Sequence, residues 1–374
     1  MTRIPFNKPA ILGREYLYLQ EVLRSGHWAG DGPFSARCRA WLSSQFGAHH
    51  VHLTNSATGA LELATILAAL GPRDEVVMPA FAYVTCANAV ALRHATPVFA
   101  DIDPDTLNLD LKAAASAVTP RTRALLVIHY AGIPCDMDGF IALANRHNLI
   151  LIEDAAQAFM SYYRSRPAGT LGHVGVYSFH DTKNISSGEG GALLVNQDGL
   201  APRAEVVHQK GTDRTAFNLG ELEAYSWVDL GSSFSPSELT AAVLLAQFEQ
   251  AETVTQRRVQ LWQNYHSAFA ELEHAGIARR PVVPAEVTHN GHIYYLLLEN
   301  ENVRDTFISR MAAAGVSTAF HYVPLDTSKA GKRYGRAAGD LPVTHSSASR
   351  LVRLPMWLDM DQGVIIDAAL ASLR

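Results

Sequence analysis

A lysine sits in an unusual place in this chain. In Ser178-Phe179-His180-Asp181-Thr182-Lys183-Asn184-Ile185-Ser186-Ser187-Gly188-Glu189-Gly190-Gly191 it directly follows an apolar run and precedes a glycine-rich turn. Most lysines are solvated surface groups. One held between a buried strand and a turn that brings backbones close together is desolvated. That lowers its pKa and frees the amine to form a Schiff base with a carbonyl.

Two further segments offer chemistry that matches. Asp154 closes the apolar run Leu149 to Ile152, in Glu153-Asp154-Ala155-Ala156-Gln157. By itself it reads more readily as a helix N-cap. Beside an imine-forming lysine it reads as the carboxylate that keeps a pyridine ring protonated, which pyridoxal phosphate (PLP) chemistry needs. Thr54-Asn55-Ser56-Ala57-Thr58-Gly59-Ala60-Leu61 leads small and hydroxyl residues into an apolar helix. A helix N-terminus of that kind suits a phosphate, or is a plain cap. Together the three segments supply an amine, a ring partner and a phosphate cup.

The elements that position them follow from hydrophobic patterning. Glu75 to Pro79, stopped by Pro79, and Pro97 to Asp101 read as buried strands, and Ala124 to His129 and Leu149 to Asp154 are near-continuous apolar runs ending on polar residues. Strands covered by helices on both faces have this appearance. Helical patterns at Ala57 to Leu70, Val84 to Arg93 and Met137 to His147 alternate with them. The alternation predicts an α/β fold with a mostly parallel sheet, with ligands bound beyond the strands' carboxyl ends. Val174 to His180 and Ala192 to Asn196, joined through the glycine turn, are expected to form one antiparallel excursion. From Pro236 to about Leu272 the pattern predicts one long helical stretch, followed by a strand (Ile293 to Leu298), a helix (Val303 to Ala314) and a final helix. The expected division is a large domain over 1–250 and a smaller C-terminal α+β domain over 251–374.

Composition narrows the class. The chain has 374 residues, a net charge of −5, 48% hydrophobic and 18% charged residues, which excludes a disordered chain. Its pI near 6.3 gives no electrostatic case for a nucleic-acid binder. Cys38, Cys86 and Cys135 are scattered, with no C-x-x-C pair, so neither a disulfide scaffold nor a zinc ribbon is supported. There is no run of about 20 apolar residues and no signal-peptide core. No membrane association and a reducing cytoplasm are expected. His49-His50-x-His52 is the densest histidine cluster and is read as lying just before a strand; no metal site is expected there. Gly188-Glu189-Gly190-Gly191 lacks the Gly-Lys-Ser/Thr of a phosphate-binding loop for nucleotide hydrolysis.

With these residues in view, the sequence resembles the DegT/StrS family of PLP-dependent sugar aminotransferases, which have the fold-type-I, aspartate aminotransferase-like architecture. Ser178-Phe-His-x-Thr-Lys183-Asn, Gly188-Glu-Gly-Gly191 and Glu153-Asp-Ala-Ala-Gln157 match the family's motifs in order, and the likeness runs from Ile4-Pro5-Phe6-Asn7 to Arg353-Leu354-Pro355. Within the family it is nearest the transaminases that make dTDP-4-amino-4,6-dideoxygalactose. Ser25-Gly26-His27-Trp28, His129-Tyr130-Ala131-Gly132, Lys210-Gly211-Thr212-Asp213-Arg214, Asp229-Leu230-Gly231-Ser232-Ser233 and Phe320-His321-Tyr322-Val323-Pro324-Leu325 carry that closer match.

The resemblance implies that Lys183 is the catalytic residue, binding the cofactor covalently and then moving protons. It implies Asp154 on the pyridine nitrogen, Gln157 near the ring's phenolic oxygen, and Tyr83 stacked on the ring. Thr58, Gly59 and Ser178 would meet the phosphate. Ser233 stands where most of the family has an asparagine that reaches the phosphate from the neighbouring subunit. His27, His180, Lys210, Arg214, His321 and Tyr322 are candidate substrate contacts; a structural role is open for His180 and His321. Asp326 stands where the subgroup has histidine, a position expected to bear on substrate preference. The implied partners are a nucleotide sugar, L-glutamate and a second copy of the chain sharing the active sites. A 3-aminotransferase, a UDP-sugar 4-aminotransferase and a non-catalytic PLP-binding regulator remain as alternatives. Dehydratases of the family replace the lysine with histidine, so Lys183 argues against that activity.

Overall fold

The computed structural model describes residues 3–373. An eight-stranded sheet forms its centre, in the order His50–Thr54, Gly191–Val195, Val174–Ser178, Ile150–Asp154, Thr122–Ile128, Glu75–Pro79, Thr96–Ala100, Arg336–Ala337. Gly191–Val195 runs antiparallel to both of its neighbours, and the other pairings are parallel. The antiparallel excursion expected around the glycine turn is therefore present, with Ser178 opposite Gly191.

The apolar runs form strands because both faces are covered. Val76, Met78 and Leu126 pack into one cluster with the helix Ala57–Leu67, while Val77, Leu125 and Val127 pack into another with Met137–His147. Alternate side chains along a strand point to opposite faces, so strands buried on both sides must be apolar throughout. The helices start where the sequence offers caps. Ser56 accepts from Gly59 N and Asp136 from Gly139 N, and the second helix ends at Asn148 in the left-handed region (φ 51°).

A smaller antiparallel sheet joins Ala278–Arg279, Tyr294–Leu298 and Leu351–Leu354. Trp262, Tyr265, Phe307, Met311 and Ile365 bring the helices Ala251–Ala268, Glu301–Ala313 and Gln362–Ser372 onto it. Two segments tie the halves of the chain together. Ile4 bridges to Val316, and Arg336–Ala337 adds an edge strand to the large sheet.

The single helical stretch expected from Pro236 to Leu272 is corrected. It is three helices, Glu238–Phe248, Ala251–Ala268 and Ala270–His274. The first is buried around most of its circumference between the helices Glu15–Ser25 and Pro33–Phe46, whereas the second buries only a stripe through Arg258, Trp262 and Tyr265. The chain bends between them, where Glu249 pairs with Arg14 at 2.8 Å and accepts from the Tyr18 hydroxyl at 2.7 Å. The histidine cluster is corrected too: His50 and His52 lie within the first strand, facing Asp198 (3.6 Å) and Glu205 (3.7 Å). Among the described residues, no group of three or more His, Cys, Asp or Glu is placed to hold a metal ion, and no helix is long and apolar enough to cross a membrane.

Candidate active site

The carboxyl ends of the strands open into a cavity of about 890 Å³. Thr58, Tyr83, Asp154, Gln157, Ser178, His180, Lys183, His321 and Tyr322 all line it. Residues up to 264 positions apart in the chain thus meet at one place, which the parallel sheet makes possible by ending its strands on one side.

Lys183 is half-buried in the loop that follows the strand Val174–Ser178, with its N–H bonded to His180 O at 2.9 Å. Burial is the main cause that pushes its amine down to about 8; Arg353 adds to that and Asp154 opposes it. A substantial fraction of free amine near neutral pH follows, as an attacking nitrogen needs. Asp154 ends its strand buried. Ala156 N–H donates to its Oδ1 at 3.0 Å and the Cys86 thiol lies 3.0 Å from Oδ2. Its neighbour Glu153 points to the other face, fully buried, where it meets His129 Nε2 at 2.9 Å and accepts from Gly169 and Leu171 N–H. The N-cap expected of Asp154 is therefore a bond to a short turn, not the start of a helix.

At the phosphate cup, the Ser56 hydroxyl accepts from Gly59 N at 3.1 Å and Ala60 N bonds to Ser56 O. Gly59 N is thereby spent within the helix, and the N–H groups of Ala57 and Thr58 have no acceptor among the described residues. The Ser178 hydroxyl lines the same cavity. Two free amides at the N-terminus of an 11-residue helix, with hydroxyls beside them, fit a phosphate. Gly191 packs against this turn. A Cβ there would lie 2.6 Å from Ala57 N, so only glycine lets the strand pass so close.

The outer wall is aromatic. Tyr83, 59% exposed, begins the helix Val84–Ala91 and faces Tyr322, with ring centroids 6.5 Å apart. The Tyr322 hydroxyl accepts from Gln157 Nε2 at 2.8 Å, and Gln157 Oε1 accepts from Ala131 N at 2.8 Å. Tyr322 has φ 48° and stacks on His321, whose Nδ1 meets the Tyr130 hydroxyl at 2.9 Å. Burial, with Arg353 and Lys183 nearby, holds the His321 imidazole well below its usual range, so it stays neutral. His180 contacts the Thr182 hydroxyl and Asp181 at the rim.

Four predicted residues lie elsewhere in the single chain. His27, Lys210, Arg214 and Ser233 are exposed and do not line the cavity. Asp326 is bonded to His345 at 2.8 Å and lies outside it as well.

Sequence reasoning missed several cavity residues. Arg258 and Arg353 are, with Lys183, the cationic residues that line it. Arg258 spends its guanidinium on the carbonyls of Gly291, His292 and Met356. Arg353 gives one bond, to Phe320 O at 3.1 Å, and lies over the Phe6 ring at 4.8 Å. Its Nε has no partner and no carboxylate among the described residues pairs with it. Such a cation has donors to offer an anionic ligand. Arg353-Leu354-Pro355 was legible only as the far end of the family likeness. Cys86 was legible only as one of three cysteines.

Residues 9–369 match the DegT/DnrJ/EryC1/StrS aminotransferase family, and the chain belongs to it. It is an aminotransferase of the α/β, aspartate aminotransferase-like fold. The spore coat polysaccharide biosynthesis protein SpsC of Bacillus subtilis is 31% identical over 97% of this chain and 95% of its own length. Among solved structures, DesV of S. venezuelae in complex with a ketimine intermediate superposes with a TM-score of 0.90 at 31% identity, over 100% of both chains. The PLP form of the sugar aminotransferase Spr1654 of Streptococcus pneumoniae does so at 0.89 and 26% identity, over 99% of this chain and 98% of that one.

Proposed function

We propose that this chain transfers an amino group from L-glutamate to the C4 ketone of a nucleotide-linked 4-keto-6-deoxy sugar. The expected acceptor is dTDP-4-dehydro-6-deoxy-D-glucose, and the expected products are dTDP-4-amino-4,6-dideoxy-D-galactose and 2-oxoglutarate. The observation that carries this reading is the meeting of Lys183, Asp154, Ser178 and the free amides of Ala57 and Thr58 in one cavity.

The cofactor is pyridoxal 5′-phosphate, which when bound supplies an electron sink for the carbon that loses its proton. Lys183 Nζ would hold the cofactor covalently until the donor's amino group displaces it, and the freed amine would then take the proton from the donor's Cα and deliver one to the sugar carbon. Asp154 keeps the ring nitrogen protonated. Ala57 N, Thr58 N and the Ser178 hydroxyl receive the phosphate. Tyr83 would cover the ring face, and Gln157 would meet its phenolic oxygen; both line the cavity. Arg353 holds a carboxylate of the donor, with His180, His321 and Tyr322 beside the acceptor.

The working form is a homodimer in the cytoplasm. Its support is the segment 217–230, where Leu219, Tyr225, Trp227 and Val228 stand exposed in one run. A monomer rarely leaves so much apolar surface in water. Ser233, Lys210, Arg214 and His27 reach the partner's site in this arrangement. With a domain boundary at 250, the small sheet would cover the cavity, which Arg353 and Leu354 of that sheet line. All three cysteines are free, in keeping with a reducing compartment.

The test offers the purified enzyme dTDP- and UDP-linked keto sugars with glutamate and locates the new amine by NMR. Amination at C4 of the dTDP sugar is expected. Amination only at C3, or only of a UDP sugar, overturns the assignment. Bound cofactor whose spectrum no amino donor changes would indicate a regulator.

A further inference from the structure

Cys86 stands apart from the other two cysteines. The Cys38 thiol lies 3.3 Å from Ala241 O and that of Cys135 lies 3.2 Å from Ile128 O, each bonded to a main-chain carbonyl inside the packing. Cys86 instead lines the cavity, and its Sγ is 3.0 Å from Asp154 Oδ2. The opposite carboxylate oxygen accepts from Ala156 N–H at 3.0 Å. Two donors, one on each oxygen, prevent the carboxylate from rotating about its bond to Cβ. The thiol sits in the first turn of the helix Val84–Ala91, which begins at Tyr83. One helix start therefore carries both Tyr83, which would cover the ring, and the donor to the Asp154 carboxylate.

We propose that Cys86 is a positioning residue for Asp154, orienting the carboxylate and setting how firmly it holds the proton on the cofactor's ring nitrogen. A thiol is a weaker donor than a hydroxyl, so it draws less charge from the carboxylate than serine would. Burial, and then the adjacent Asp154, push the thiol well above its usual range, so the sulfur keeps its proton and remains a donor. The role rests on Asp154 being the partner of the ring nitrogen.

The experiment needs no amino donor. The cofactor-free chain is titrated with pyridoxal phosphate to obtain Kd, and the pH midpoint of the bound cofactor's visible absorbance is recorded. Wild type is compared with Cys86→Ala, Cys86→Ser and, as reference, Asp154→Asn. Cys86→Ala is expected to raise Kd by about fivefold to tenfold, because the carboxylate is then free to turn away from the ring nitrogen and must be reordered on binding. It should lower the midpoint, because the undonated carboxylate holds the ring proton more firmly and the ring draws electrons more strongly. Cys86→Ser should bring Kd back to within about twofold of wild type, as the donor is restored. Its midpoint should move up, the opposite way. Wild-type Kd and midpoint in both variants would overturn the proposal, as would equal shifts in the same direction. If Asp154→Asn also changed nothing, the assignment of Asp154 would fall and the thiol's role with it.

Discussion

Asp154 and Gln157 on the cavity floor, and Tyr130 behind the cavity's His321, each make hydrogen bonds to neighbours in the same chain, and all three are buried. The stretch 210–233 treats its side chains in the opposite way. Trp227 is 78% exposed, Lys210 and Arg214 point to solvent, and the Arg214–Tyr225 cation–π contact spans 6.0 Å. The floor is finished within one subunit, with its dipoles and donors set before any ligand arrives, which is what preorganised catalysis requires. The outer stretch leaves apolar surface in water, and in the proposed homodimer the second copy would cover it. Chemistry is thus expected to reside in one chain and completion of the site in two.

Disabling the floor should have the largest effect. Lys183→Ala should lower turnover by about 10⁴-fold, the upper range for loss of a proton-transferring group, while cofactor absorbance no longer responds to glutamate. Asp154→Asn should cost about 10²-fold in kcat with the fold intact by circular dichroism, because the ring loses its charged partner. A fully active Asp154→Asn would remove the floor's claim to preorganisation. Arg353→Ala should raise KM for the amino donor by about tenfold to 100-fold with little change in KM for the sugar, as expected for a lost carboxylate clamp. An effect on the sugar alone would assign the arginine to the nucleotide phosphates.

The outer stretch is tested by Trp227→Glu. A charge in a buried contact should shift sedimentation toward the monomer and cut specific activity by about tenfold at low protein concentration, with recovery as concentration rises. Unchanged mass and activity would break the comparison. The smallest effect is on pH. Because burial lowers Lys183 to about 8, the rate of cofactor capture by the empty chain should rise with pH and level off above about 8. A surface-like amine would continue to rise beyond 10. The same shift makes stability increase with pH between about 8 and the unfolded lysine value of 10.5, since the unfolded chain then binds the extra proton.

Local patterning made the large sheet legible. Four of its strands appear as apolar runs because parallel strands covered on both faces admit little else. The break at Glu249 and Gln250 was not legible. Helical propensity continues through it, and only packing against Tyr18 and Arg14 selects the bend. The helices Glu15–Ser25 and Pro33–Phe46 and the four-residue strand Leu351–Leu354 escaped for a related reason, as elements that gain their definition from what they pack on.

The site divides the same way. Residue type and immediate surroundings determined that Lys183 would be a desolvated amine, that Asp154 would close a buried strand, and that Ser56 to Gly59 would open a helix. Those depend on neighbours a few positions away. Tertiary structure decided that Cys86 meets Asp154 across 68 positions and that Arg353 keeps donors free beside Lys183. It also decided that His27, Lys210, Arg214 and Ser233 face outward. Hydrogen bonds and desolvation act over a few ångströms in space, and the distance along the chain does not reveal which side chains come that close.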